Sequence, residues 1–368
     1  MNETPLIRKE EPIPECKIPM NVPVPVKYSL RILALVFILL QKSWMSLTAT
    51  AVIYTVVYIV FGGFISFLLL FCCILLILYY AQDGLLYYPH VPKNSRAVVL
   101  EPTMLGLPSE TVYIRSADGT LLHCFLIRQP EPACTKAPTI LFLHGNAGNI
   151  GNRLPNVVGL YKLLGANIFM LEYRGFGLSE GKPSEGGFYA DARAALNYLH
   201  SRNDINSKEI ILFGRSLGGA VAIDVASCPN YSSKIWALVV ENTFTSVPDM
   251  AKILIGSYLG FLPMWCHKNK FLSFNKVRRI TLPSLFLSGL SDDLVPPSMM
   301  ECLYECCASS LKQKFVFPNG THNETWRCQG YFHVWMGLLV ELRKRDANLA
   351  DQTTTRAQPL IHSVIETV

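Results

Sequence analysis

Gly214-Arg215-Ser216-Leu217-Gly218 is the stretch of this sequence whose residue types and spacing best suit chemistry. It follows the apolar run Glu209-Ile210-Ile211-Leu212-Phe213 and precedes Gly219-Ala220-Val221-Ala222-Ile223, an order that reads as strand, sharp turn, helix. Such a turn lifts a serine hydroxyl clear of the sheet, and the crowding it creates calls for glycine two residues before and two after the serine. A serine hydroxyl is a weak nucleophile until a neighbouring base takes its proton, and that base needs a carboxylate to hold its tautomer and stabilise the imidazolium. With an elbow of this kind the partners follow in the order serine, acid, histidine. Downstream of Ser216 stand His267, His322, His333 and His362. His267 falls in an apolar insertion, His333 inside a helical stretch and His362 in a polar tail. Only His322, in Asn319-Gly320-Thr321-His322-Asn323, lies in a loop leaving a strand, where catalytic groups gather. Asp292 and Asp293 follow the strand Leu285-Phe286-Leu287-Ser288-Gly289 at its carboxyl end. Asp292 is the preferred acid and Asp293 the alternative; either carboxylate could instead serve only to cap the helix that begins near Pro296.

Acyl transfer through a serine also needs amide donors held where oxyanion charge develops. The N–H of Leu217, directly after the serine at a helix start, is one candidate, and that of Asn146, in the loop after His144-Gly145, is the other. His144 precedes the nucleophile and reads as a structural loop residue.

The elements that position these groups alternate. Glu110 to Ile127 reads as two strands around an Asp118-Gly119 hairpin turn. Thr139 to Leu143, Asn167 to Leu171, Ile210 to Phe213, Ala237 to Glu241, Ser284 to Ser288 and Phe315 to Phe317 read as further strands, several of them continuous apolar runs typical of parallel strands buried on both faces. Helical spacing falls between them, at Asn156 to Leu164, Ser184 to His200, Pro296 to Ala308 and Tyr331 to Leu342. That alternation predicts right-handed βαβ units and an open, mostly parallel, doubly wound sheet. Between strands 6 and 7 of that sheet, Thr245 to Ile280 interrupts the pattern with Leu259, Phe261, Trp265, Phe271 and Phe274 mixed with Lys268, Lys270, Lys276, Arg278 and Arg279. We read it as a cap over the strand ends; two surface helices with a solvated basic face are the alternative.

No Asp, Glu, Lys or Arg stands between Lys42 and Asp83, and Ala51 to Tyr80 is almost wholly apolar, longer than the roughly 20 residues needed to cross a bilayer. The expected organisation is an amino-terminal cytosolic segment over 1–48, a transmembrane signal-anchor over 49–80, a linker over 81–108, a catalytic domain over 109–345 with its cap at about 245–280, and a disordered polar tail over 346–368. A shorter apolar stretch, Leu30 to Leu40, is too short to span and suits an interfacial helix. Lys17, Lys27, Arg31 and Lys42 before the anchor outnumber Lys93 and Arg96 after it, which predicts a single-pass type II protein with its catalytic domain on the lumenal or outer face. In that topology Asn230, Asn319 and Asn323 become glycosylation acceptors, although a glycan on Asn323 would crowd His322. The net charge of +6 is spread along the 368 residues and points to no nucleic-acid partner. The 11 cysteines form no paired motif at metal spacing, so neither zinc nor another cofactor is expected.

Taken together, His144-Gly145-Asn146-Ala147-Gly148-Asn149, Tyr173-Arg174-Gly175-Phe176-Gly177-Leu178-Ser179-Glu180-Gly181, Gly214-Arg215-Ser216-Leu217-Gly218-Gly219, Gly289-Leu290-Ser291-Asp292 and Gly320-Thr321-His322-Asn323 resemble the α/β-hydrolase superfamily over roughly Gln41 to Leu342. The resemblance implies the α/β-hydrolase fold preceded by one transmembrane helix, with Ser216 as nucleophile, Asp292 as acid and His322 as base. Beside the apolar cap and the bilayer, the expected activity is hydrolysis of acyl esters or thioesters, of a lipid or an S-acylated protein. A peptidase on the same fold and a non-catalytic membrane scaffold are the competing expectations, and the oligomeric state stays open.

Overall fold

Five apolar runs, β3 (Thr139–Leu143), β4 (Asn167–Leu171), β5 (Ile210–Arg215), β6 (Ala237–Glu241) and β7 (Ser284–Gly289), are buried at every residue in the computed structural model, which describes residues 44–254, 256 and 263–365 of the chain, with residues 44–47 and 352–365 described by backbone alone. Burial on both faces is why they read as unbroken apolar stretches. With the hairpin β1 (Ser109–Arg115) and β2 (Leu121–Ile127) and the last strand β8 (Lys312–Phe317) they form one 8-stranded sheet in the order β1-β2-β4-β3-β5-β6-β7-β8. β2 runs antiparallel to β1 and β4, and every pair from β4 to β8 is parallel, so the sheet is mostly parallel as expected.

Helices cover both faces. Leu154–Leu164 and the start of Tyr331–Ile365 pack on one face, where Trp335 meets Phe213 edge-on at 5.1 Å. Glu185–Ser201, Leu217–Ser227 and Pro297–Cys306 pack on the other. The insertion between β6 and β7 contains, among its described residues, helix Val247–Leu254, a turn of 3₁₀-helix at Met264–Cys266 and helix Ser273–Val277. Its Phe271 is fully buried against Tyr189 and Phe244, whereas Trp265 stays 69% exposed. Two of its basic residues are paired, Lys276 with Asp224 at 2.7 Å and Lys268 with Asp83, whereas Arg279 is exposed. Leu259 and Phe261, the apolar stretch Leu30 to Leu40 and the four basic residues before the anchor lie outside the described residues.

Two segments depart from expectation. The apolar stretch expected as one helix over 49–80 forms two, Trp44–Phe61 and Gly63–Leu86, separated at Gly62. Gly62 sits at φ 80° and ψ 167°, a region open essentially to glycine alone, and that backbone cannot continue a helix. Of the described helices, Gly63–Leu86 is the one with the length and apolarity to cross a membrane, and little of it is covered by the rest of the protein. It reaches six residues into the expected linker. The tail expected to be disordered instead continues the closing helix to Ile365, with Asp346 accepting from the Trp236 indole at 2.7 Å. The helix runs on past Thr353-Thr354-Thr355 and Pro359, residues of low helix propensity, so residue type did not reveal its continuation.

Candidate active site

Ser216 joins β5 to helix Leu217–Ser227 at φ 54° and ψ −120°, a conformation that L-residues rarely hold. Its neighbours hold it there. The Ser216 N–H donates to Glu241 O at 2.9 Å, and Thr243 Oγ1 donates to Ser216 O at 2.7 Å. The flanking glycines follow from close approach: a Cβ on Gly214 would lie 2.2 Å from Gly218 O, and one on Gly218 would lie 2.0 Å from Leu143 O. The elbow can therefore form only where these side chains are missing.

Strand ends bring the other groups to it. His322, in the loop after β8, places Nε2 3.0 Å from Ser216 Oγ and Nδ1 2.8 Å from Asp292 Oδ2, in the loop after β7. The Asp292 side chain is 1% exposed, and its Oδ1 accepts the N–H groups of Leu294 and Val295, each at 2.9 Å. One oxygen thus shapes the turn before helix Pro297–Cys306 while the other faces the imidazole. Asp293 is exposed. His267 lies in the cap and His333 on the exposed side of the closing helix, and the side chain of His362 lies outside the described residues.

The loop after β3 closes the other side. A Cβ on Gly145 would meet Ser216 Cβ at 3.4 Å, so the backbone before Asn146 lies against the serine. Among the described residues, neither the Asn146 N–H nor the Leu217 N–H has an acceptor within the protein. His144 is engaged elsewhere: its Nδ1 lies 2.8 Å from Gly145 O, its ring meets that of Tyr173 at 4.4 Å and a tilt of 39°, and its Nε2 stands 3.0 Å from Glu172 Oε1, without the alignment of a hydrogen bond. Asn230 and Asn319 are exposed; Asn323 is exposed too, but its Oδ1 accepts from Arg215 Nη2 at 3.0 Å.

Sequence reasoning did not single out two residues that hold this site together. Arg215 is buried beside the serine and donates from Nη1 to Asn323 O at 3.0 Å and from Nη2 to Asn323 Oδ1, fixing the backbone directly after His322. Register places it across from Glu241, a fully buried carboxylate that accepts from Tyr331 Oη at 2.5 Å. Burial pushes the Glu241 carboxyl above the usual range, against the pull of the Arg215 charge and the Tyr331 hydrogen bond. The second is Asn242, held at φ 45° after β6. Its Oδ1 accepts from Gly289 N at 2.8 Å, and its Nδ2 donates to Thr321 O at 3.1 Å and Thr325 Oγ1 at 3.0 Å. One amide therefore ties the acid's turn to the histidine's loop. Asparagine at a strand end tolerates the left-handed region and bonds backbone on both sides, and Glu241-Asn242 was the signal available in the sequence. Among the described residues no group of three His, Cys, Asp or Glu side chains could hold a metal ion.

An elbow between a central parallel strand and a helix, with strand-end loops converging on it, defines an α/β hydrolase, and residues 138–275 match the family model for the alpha/beta hydrolase fold. The chain belongs to the α/β-hydrolase family: it is 42% identical over 275 residues to the alpha/beta hydrolase domain-containing protein WAV2 of Arabidopsis thaliana, covering 72% of this chain and 88% of that protein. It is similar to protein bem46 of Schizosaccharomyces pombe, at 38% identity over 72% of this chain and 87% of the relative. A Saccharomyces cerevisiae protein named as an uncharacterized membrane protein is 35% identical, with coverage of 72% and 90%. Among solved structures, the esterase Pf2001 of Pyrococcus furiosus superposes with a TM-score of 0.54 at 22% identity over 67% of this chain and 95% of that one, a likeness of fold.

Proposed function

We propose that this α/β hydrolase is a membrane-anchored serine hydrolase that cleaves acyl esters or thioesters, with Ser216 as nucleophile, His322 as base and Asp292 as the carboxylate that orients it. The observation that carries this reading is the unbroken relay from Ser216 Oγ to His322 Nε2 to Asp292 Oδ2, with steps of 3.0 and 2.8 Å. In the first half-reaction Ser216 Oγ attacks the acyl carbon while its proton passes to Nε2. The resulting oxyanion takes the N–H groups of Asn146 and Leu217, both without a protein acceptor. Collapse expels the alcohol or thiol, which leaves with the proton from Nε2, and the acyl group stays on Ser216. Water then attacks the acyl-enzyme by the same route and releases the acid.

The anchor in this reading is Gly63–Leu86, whose side chains are exposed along most of its length, Phe64 at 80% and Ile77 at 65%. Exposed apolar surface on that scale is stable only against lipid or another protein, and an acyl substrate partitions into the same lipid. Type II topology rests on the basic residues before the anchor, and glycans on Asn230 and Asn319 would follow from it. Asn323 is the least suited of the three acceptors, since its amide oxygen is engaged by Arg215.

A fluorophosphonate probe should label the purified full chain and fail to label Ser216→Ala; labelling that survives the substitution overturns the reading. Endoglycosidase treatment of protein from a eukaryotic membrane fraction tests the topology. A mobility shift supports a lumenal domain, and an unchanged band places the domain in the cytosol.

A further inference from the structure

The carboxyl end of helix Gly63–Leu86 is bonded both to the loop after β3, which carries Asn146, and to the insertion between β6 and β7. On one side, Asn146 Nδ2 donates to Leu86 O, the last carbonyl of the helix, and the Tyr88 N–H donates back to Asn146 O at 3.3 Å. Tyr88 also forms a parallel bridge with Ala147. On the other side, Gln82 Nε2 donates to Cys266 O at 2.7 Å and Gln82 Oε1 accepts the Lys268 N–H at 2.8 Å. Asp83 accepts from Asn269 Nδ2 at 2.7 Å and pairs with Lys268, and buried Tyr87 donates from Oη to Asn269 Oδ1 at 2.7 Å. The helix end is therefore wedged between the cap and the loop after β3.

We propose that this helix end is a positioning element of the hydrolytic site, acting through the Asn146 side chain on the Asn146 N–H. The inference rests on the serine-hydrolase reading above. The Asn146 side chain makes its one polar contact with the helix: Oδ1 is buried without a hydrogen-bond partner, and Nδ2 is spent on Leu86 O. The same residue contributes the free N–H beside Ser216, reached through Gly145 packed on the serine. Within the loop, the Gly145–Asn146 peptide that carries this N–H is held at its carbonyl by His144 Nδ1, 2.8 Å from Gly145 O, and on its Asn146 side by the helix end, through the Asn146 side chain and Asn146 O, while Arg153 Nη2 donates to Ala147 O at 2.7 Å. An oxyanion donor acts in full only when held where charge develops, so a peptide that drifts by a fraction of an ångström loses much of its effect. A helix that only tethered the domain would need no bond to this peptide.

The test uses the full chain in phosphatidylcholine nanodiscs as wild type, Ser216→Ala, Asn146→Asp and the helix-side pair Gln82→Ala/Asp83→Ala. Asn146→Asp keeps the shape and removes the donor to Leu86 O. Active sites are counted by fluorophosphonate titration, so that turnover of p-nitrophenyl butyrate is expressed per competent site. Asn146→Asp is expected to lower kcat about tenfold, less than the roughly hundredfold for losing an oxyanion donor outright, with KM little changed. Affinity for phenylboronic acid, which adds to a serine and presents an oxygen to the same donors, should fall in proportion. The helix-side pair should lower kcat by a few-fold in the same pattern. A merely structural role would reduce the number of titratable sites and leave kcat per site and boronate affinity as in the wild type, and that result in both variants overturns the inference while the hydrolase reading stands. Should Asn146→Asp yield no titratable sites, the helix-side pair decides alone. A wild type that the probe does not label sinks both readings.

Discussion

Two histidines at the carboxyl edge of the sheet each stand about as far from a carboxylate as a hydrogen bond requires, and only one of them faces a hydroxyl. His322 has Asp292 on Nδ1 at 2.8 Å and Ser216 on Nε2 at 3.0 Å. His144 has Glu172 Oε1 3.0 Å from Nε2 and the Gly145 carbonyl on Nδ1, with both its side chain and that of Glu172 fully buried. The residue types are nearly the same in the two pairs. What separates them is the second ring nitrogen: in one pair it meets a group that can lose a proton, and in the other it is spent on the backbone. A histidine beside an acid can serve as a base only where a group with a proton to lose lies on its far side, and otherwise can only brace the fold.

The comparison is broken most directly by Asp292→Asn. The amide presents a donor where Nδ1–H needs an acceptor, so ester hydrolysis per folded molecule should fall by about 10³–10⁴-fold; near wild-type turnover would place the oriented base elsewhere. His144→Leu tests the other pair and should act on stability. It leaves the Glu172 carboxylate buried with no imidazole, a loss of about 3–5 kcal/mol that lowers Tm in thermal unfolding, while the surviving folded fraction still reacts with a fluorophosphonate. If that variant instead kept its Tm and lost its labelling, His144 would belong to the chemistry. Arg215→Lys sharpens the account of His322: one ammonium cannot replace a fork that holds Asn323 O and Oδ1 together, and kcat should fall about tenfold with KM little changed.

The smallest effect concerns a third carboxylate at the same edge. Glu241 has its pKa raised in the folded protein, chiefly by burial, so the folded state holds its proton more tightly than the unfolded chain does. Stability is therefore lost as pH rises from the ordinary carboxylate range through the folded-state value. Glu241→Gln removes that slope. The Tm difference, wild type minus variant, should be larger near pH 5 than near pH 8, and a difference that grew with pH would contradict a raised value.

Much of the sheet was legible from residue pattern alone. β4 and β6 fall on the residues expected of them, because a strand buried on both faces is a continuous apolar run wherever it stands. The elbow was legible because its glycines answer a local collision, between Gly214 and the Gly218 carbonyl. The anchor was legible as composition but not as shape. The break comes from the backbone of Gly62, whose φ of 80° ends one helix and lets the next begin. The tail misled for the opposite reason: its polarity suggested disorder, whereas a helix can be polar on all sides beyond the point where it leaves the core.

By itself the sequence determined which residues could do the chemistry, since strand, turn and helix patterns and the order serine, acid, histidine are properties of short windows along the chain. Tertiary structure decided which of them meet. Arg215 reaches Asn323 across 108 residues, Asn242 ties Gly289 to Thr321, and Asn146 holds the end of a helix 60 residues away. None of these pairings has a period or a spacing that a window could register. They exist because parallel strands carry their carboxyl ends to one edge, where loops far apart in the chain must share the same few ångströms.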